Sequence, residues 1–238
     1  MDTPNDRPGR RAFLKSAVAG SAAAATAALP LSPAAQAAQP AAAAPAQPGY
    51  LYLNPDEQAF VEAVVDHMIP ADEYTPKGTD VGINIYIDRA LASGWGKGER
   101  LYMQGPWKRG TASQGYQLPM TPAQLYRAGI AAANRACVKA QGKRFEQLGA
   151  AQREDFLKAW QAGKVEFDDG LPARTFFNML YQNVMEGLFA DPVYGGNRDK
   201  AGWKLIGFPG VVAVHARNVG KFRDKPYVAN PLGIADLS

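Results

Sequence analysis

"NPDEQAFVEAVVDHMIP", Asn54 to Pro70, decides the fold class of this chain. Asn54 is a capping residue placed before Pro55 at the first helical position, and Glu57 follows three residues on, which is the reciprocal capping-box start of a helix. The helix is expected to run to Ile69 and to stop before Pro70, since proline cannot continue it. Phe60, Val64 and His67 or Met68 recur at helical spacing and supply its buried stripe.

The same reading extends outward. Thr121-Pro122-Ala123-Gln124 repeats the capping box and opens a helix whose inner face carries Tyr126, Ile130, Ala133 and Cys137, so that Cys137 reads as a small core hydrophobe. A helix from about Gly82 to Ser93 uses Ile83, Ile87 and Leu91. Another, around Ala151 to Ala162, uses Phe156, Leu157 and Trp160 and ends at Gly163. The last runs from about Pro172 to Phe189 and buries Phe176, Phe177, Leu180 and Val184. No run alternates with period two for long, so the chain is expected to be all-α, a single helical domain with long ordered loops over residues 54–238. The segment from Gly94 to Leu118, rich in Gly, Trp, Tyr and Arg, is one such loop, and loops of that length usually belong to a binding face.

Ahead of this domain, "GRRAFLKSAVAGSAAAATAALPLSPAAQAAQ" has the three parts of a secretory signal. Arg10 and Arg11, followed by Phe13, Leu14 and Lys15, resemble the twin-arginine export signal, which carries folded and often cofactor-loaded proteins. The apolar stretch from Ser16 to Leu29 is shorter than the roughly 20 residues that span a bilayer. Ala35-Gln36-Ala37 supplies a small-x-small cleavage site, which places a signal peptide over residues 1–37. An Ala/Pro-rich linker follows over residues 38–53, its Ala38 to Pro48 tract having nothing to bury.

Composition then limits the function classes. Removing residues 1–37 lowers the formal charge from +4 to +2, and a balanced surface offers no case for nucleic acid. Cys137 is the single cysteine, so the chain holds no internal disulfide, no CxxCH haem attachment and no iron–sulfur ligand set. Gly94, Gly96 and Gly98 echo a nucleotide-binding loop but follow a helix rather than a strand. His67 lies near Asp66, Asp72 and Glu73 without dependable ligand spacing, His215 has no second ligand nearby, and Asp168-Asp169-Gly170 lacks the alternating ligands of a calcium loop. With two histidines, one cysteine and no nucleophile-elbow pattern, no catalytic, cofactor-binding or metal residue is assigned.

The remaining feature is "EGLFADPVYGGNRDKAGWKLIGFPG", Glu186 to Gly210, with six glycines, two prolines and four aromatics. Asp191-Pro192 favours a turn, Gly195-Gly196-Asn197 permits positive φ at successive positions, and Gly207, Pro209 and Gly210 shape a second turn. Two readings stand. The stretch is a self-packed Ω-loop closing the domain, or it is a stiff aromatic surface offered to another protein. On the second reading the contact residues are Glu186, Asp191, Tyr194, Gly195, Gly196 and Asn197, together with Trp203, Phe208 and Pro209.

This stretch, with "FFNMLYQNVM" just before it, closely resembles the signature of the gluconate 2-dehydrogenase subunit 3 family, the gamma or small subunit. The resemblance implies a small exported chain that binds no cofactor itself. It implies a flavin-dependent large subunit of the glucose-methanol-choline class carrying FAD, and a multi-haem cytochrome c subunit carrying haem c that passes electrons towards ubiquinone. The complex would face the periplasm, attached to the inner membrane, and would oxidise D-gluconate to 2-dehydro-D-gluconate. The small subunit would serve assembly and twin-arginine co-export. Relatives serving fructose, sorbitol, glucose and 2-ketogluconate dehydrogenases are the alternative. A free periplasmic sugar-binding protein, stacking sugars on the loops Trp95 to Trp107 and Tyr194 to Phe208, is the rival from another class.

Overall fold

The computed structural model describes residues 49–237 apart from Arg109 and Ala213. The expected signal peptide with Arg10, Arg11, Phe13 and Leu14, and most of the expected linker, therefore lie outside the described residues. Among those described, every regular element is a helix and the one bridge is an isolated pair, Gly210 with Leu232.

Helix α1 spans Pro55–Met68 and starts as its sequence demands: the Asn54 side chain accepts from the Glu57 N–H at 3.0 Å, and the Glu57 carboxylate accepts from the Asn54 N–H at 3.0 Å. These two bonds satisfy donors that a helix start otherwise leaves open. Thr121 and Gln124 repeat the arrangement at the start of α4, which spans Pro122–Gln141. Between them lie α2, Gly78–Val81, and α3, Ile83–Ala92; after them come α5, Ala150–Gln161, and α6, Ala173–Phe189.

The helix expected from about Gly82 to Ser93 is α3, and a separate single turn, α2, precedes it. Gly82 sits at φ +86°, closing α2 and opening α3, and a Cβ on it would stand 2.5 Å from the Gly195 carbonyl oxygen. The break thus lets the backbone of the later loop press against the helix junction.

Helices α1, α3, α4, α5 and α6 pack around one aromatic column. Phe60 meets Phe145 at 5.3 Å between ring centroids, Phe145 meets Phe156 at 6.0 Å, Phe156 meets Trp160 at 5.7 Å and Trp160 meets Phe176 at 5.6 Å. Trp160 is fully buried, and its indole N–H donates to the Ala173 carbonyl at 2.9 Å, so its one polar atom is satisfied. Each such ring contributes about 1.5–3 kcal/mol by burial alone. The stripe read from the sequence holds for Phe60 and Val64, while His67 is only half-buried and bonds Glu154 at 2.7 Å across to α5. Cys137 lies in the core, where burial pushes its thiol up to about 12 and removes thiolate reactivity.

The start of the domain lies earlier than the sequence suggested. Residues 50–53, placed in the linker, are held on α3 by Asp88, whose buried carboxylate accepts from the backbone N–H groups of Leu51, Tyr52 and Leu53 at 2.6, 2.9 and 2.8 Å. The Tyr50 hydroxyl donates to Glu62 at 2.6 Å and the Tyr52 hydroxyl to the Ala123 carbonyl at 2.8 Å. A buried charge of this kind is stable only with such donors around it.

Candidate functional site

Helix α6 carries the chain to Phe189 and into the aromatic, glycine-rich stretch, which is more ordered than a loop. A 3₁₀ turn covers Pro192–Tyr194, a second covers Arg198–Lys200, and a short helix α7 covers Ala201–Ile206. Six residues are too few for the helical period of α7 to show in sequence.

Two residues hold this segment together. Asn197, at φ +46° and with no exposed surface, donates from its side-chain amide to the Ala190 carbonyl at 2.8 Å and accepts from the Gly202 N–H at 2.9 Å. It thereby ties the end of α6 to the start of α7. Trp203 is 4% exposed, donates to the Phe189 carbonyl at 2.7 Å, and meets the Phe208 ring edge-on at 5.3 Å. Of the residues expected at a partner surface, Gly196, Asn197 and Trp203 are therefore turned into the domain itself.

The glycines divide differently from the expectation of successive positive φ. Gly195 and Asn197 adopt it, whereas Gly196 does not; a Cβ on Gly196 would lie 2.2 Å from the Gly187 carbonyl oxygen, so this position is reserved for close backbone approach. Asp191 accepts from the Val193 N–H at 3.0 Å and, from the far end of the chain, the Ile234 N–H at 2.8 Å. Its role is to anchor backbone.

What this scaffold leaves outward is a rim of apolar side chains: Val193, Tyr194, Leu205, Ile206 and Phe208, with Tyr194 56% and Phe208 43% exposed. Beside the rim, α3, α6 and the stretch enclose a cleft of about 530 Å³ lined by Tyr86, Arg89, Trp95, Asn183, Glu186 and Tyr194, among others. The fold thus unites Trp95 and Tyr194, two aromatics 99 positions apart in the numbering. Trp107 lines a separate cavity with Lys108, Tyr116 and Thr175, so of the first loop only its Trp95 end shares a cleft with Tyr194.

Glu186 is the fixed charge of the cleft. Its carboxylate accepts from Gln182 at 2.7 Å, Asn183 at 3.0 Å and the Tyr86 hydroxyl at 3.2 Å, and Asn183 in turn accepts from the buried Tyr126 hydroxyl at 2.7 Å. Burial, and then the Glu186 charge, push the Tyr86 phenol up to about 12, which keeps it a hydrogen-bond donor throughout the physiological range. Arg89, half-buried on α3, lines the same cleft and enters no ion pair among the described residues. The site therefore presents an anchored anion, an unpaired guanidinium and two aromatic faces, the donor set of a recognition surface.

A larger cleft of about 710 Å³ lies between α1 and α4 and is lined by basic residues. Its charges are already matched within the chain: Arg127 with Glu57 at 3.0 Å, Arg135 with Asp169 at 2.6 Å and Lys139 with Asp168 at 3.1 Å. Among the described residues, no group of three or more His, Cys, Asp or Glu is placed to hold a metal, and no helix is long and apolar enough to cross a membrane.

The stretch and cleft lie inside the span of a family match. A family model described as Gluconate 2-dehydrogenase subunit 3 matches residues 55–210. The chain belongs to that family. No match is found among curated proteins or among solved structures. As a member of the gluconate 2-dehydrogenase subunit 3 family, it carries the family's matched region from the first residue of α1 to the end of the aromatic stretch at Gly210, while residues 211–238 extend beyond it. Sequence reasoning found Glu186 and Tyr194 of the cleft. It missed Tyr86 and Arg89, which carry no local motif and reach the site only because α3 packs along α6, and it gave no role to Asn183, although that residue stands in the quoted signature.

Proposed function

We propose that this chain is the non-catalytic small subunit of a membrane-bound, flavin-dependent gluconate 2-dehydrogenase complex, and that the rim and cleft beside Tyr194 receive the FAD-containing large subunit. The observation that carries the reading is the exposed apolar rim held on a buried Asn197–Trp203 scaffold, inside the span matched by a subunit family. A rigid rim loses little freedom on association, which favours tight docking. On this reading the chain binds no cofactor; FAD belongs to the large subunit and haem c to a cytochrome subunit that feeds ubiquinone. The twin-arginine signal carries both this chain and the large subunit to the periplasmic face of the inner membrane.

Co-purification with the large subunit tests the docking role. Tyr194→Ala combined with Phe208→Ala is expected to abolish co-purification while the isolated variant keeps its melting temperature. Undiminished co-purification, or a stoichiometric flavin or haem spectrum in the isolated chain, overturns the reading. Replacing Arg10 and Arg11 by Lys is expected to leave both proteins in the cytoplasm, and normal export of the large subunit would remove the carrier role.

A further inference from the structure

The chain leaves the domain at Gly210 and comes back at Leu232. The Val211 N–H donates to the Leu232 carbonyl at 2.7 Å, the Leu232 N–H to the Pro209 carbonyl at 3.2 Å, and Lys200 pairs with Asp236 at 2.5 Å. Both ends of the intervening segment are thus fixed to the aromatic stretch. Between them, no residue of 214–231 is buried. The segment is shaped by its own contacts: helix α8 at Ala216–Lys221, Phe222 edge-on to Tyr227 at 4.8 Å, His215 edge-on to Tyr227 at 6.2 Å, and Asn218 donating to the Tyr227 hydroxyl at 3.4 Å.

Its surface chemistry is one-sided. Arg217, Lys221, Arg223 and Lys225 face a single acid, Asp224. The one ion pair among them joins the neighbours Arg223 and Asp224 at 3.9 Å, and Lys221 lies over the Phe222 ring at 5.2 Å. Val214, Val219 and Val228 stand among these cations with most of their surface exposed, Val228 at 87%. An ordered segment that buries nothing, carries unpaired cations and displays apolar side chains has the composition of an interface before its partner arrives.

We propose that residues 214–231 are a docking arm for an acidic, apolar-pocketed surface of the large subunit, a second contact beside the Tyr194 rim; this rests on the reading of the chain as a small subunit. Charge complementarity selects that occupant. A second copy of the chain would bring cations against cations, which is costly. A lipid surface would want bulky apolar residues on one face, and here the bulky rings of Phe222 and Tyr227 are spent on each other while valines point outward.

The test uses the full chain and the purified large subunit, with binding measured at low and at physiological salt. Reversing Arg217, Lys221, Arg223 and Lys225 to Glu is expected to weaken binding at least tenfold and to flatten the salt dependence that screened surface charges impose. Replacing residues 214–231 by a Gly/Ser segment of equal length is expected to weaken binding comparably and to leave the melting temperature of the isolated chain unchanged. Binding of both variants within twofold of the parent overturns the arm. So does retention of the parent on phosphatidylglycerol vesicles, or its self-association, when either is lost in the variants and large-subunit binding is not. Should the Tyr194 and Phe208 variant lose the large subunit while both arm variants keep it, the small-subunit reading stands and the arm alone falls. Failure of the parent chain to bind the large subunit ends both.

Discussion

The segments 190–210 and 214–231 are neighbours in sequence, similar in aromatic and charged content, and opposite in construction. In the first, Trp203 sends its indole N–H to the end of α6 and Asn197 bridges two backbone segments, both with almost no exposed surface. In the second, Phe222 and His215 each pack on Tyr227, and no residue of the segment is buried. An aromatic in a loop therefore says little about its role until the destination of its polar edge is known. A ring whose donor is satisfied by the core belongs to the core.

The sharpest way to break the contrast is Trp203→Ala in the isolated chain. Loss of this buried ring should cost about 3–5 kcal/mol of folding stability, read as a large fall in melting temperature. A melting temperature close to the parent's would mean that Trp203 is no more structural than Tyr227.

Asn197→Ala comes next, because it leaves the Ala190 carbonyl and the Gly202 N–H without partners and replaces a residue that tolerates positive φ by one that does so less well. Orphaned buried groups cost about 1–3 kcal/mol each, and denaturant unfolding should report a loss in that range with an unchanged m-value. Asn197→Asp retains an acceptor for Gly202 and is expected to be milder.

Tyr194→Ala tests the outward half of the first segment. As an exposed residue it should change monomer stability by no more than about 0.5 kcal/mol, yet as an interface aromatic it should weaken large-subunit binding by about 2 kcal/mol. Calorimetric titration beside a melting curve separates the two quantities; equal effects on both would erase the distinction between scaffold and rim.

The smallest effect concerns the point where the two segments meet. The hydrogen bond from Lys200, followed by that from the Gly233 N–H, holds the Asp236 carboxyl below the usual carboxylate range. A depressed carboxyl stabilises the folded form above its ordinary value and loses that contribution as pH falls through the lower folded value. Amide protection at 232–237, taken relative to the exchange of an unstructured chain at the same pH, should therefore fall only in strongly acidic solution, and Asp236→Asn should lower that protection at neutral pH and remove its dependence on acid. Protection that falls as pH rises towards neutrality would place the anchor elsewhere.

Sequence alone determined the features that depend on neighbours a few residues apart. The capping boxes at Asn54 and Thr121, the stops at Pro70 and Gly163, the apolar stripes of α1, α4, α5 and α6, and the all-helical class all follow from local rules of hydrogen bonding and period. The signature that places the chain in the gluconate 2-dehydrogenase subunit 3 family was also legible, because it is contiguous. Tertiary structure decided the rest. Whether Trp203 faced a partner or the domain turned on where the Phe189 carbonyl lay, and what reserves the α3 start for Gly82 is the approach of the distant Gly195 backbone. The cleft needed Tyr86 and Arg89 to meet Glu186 and Tyr194 across roughly one hundred residues of sequence. Local propensity carries no information over such a span; only the packing of α3 against α6 brings those groups together.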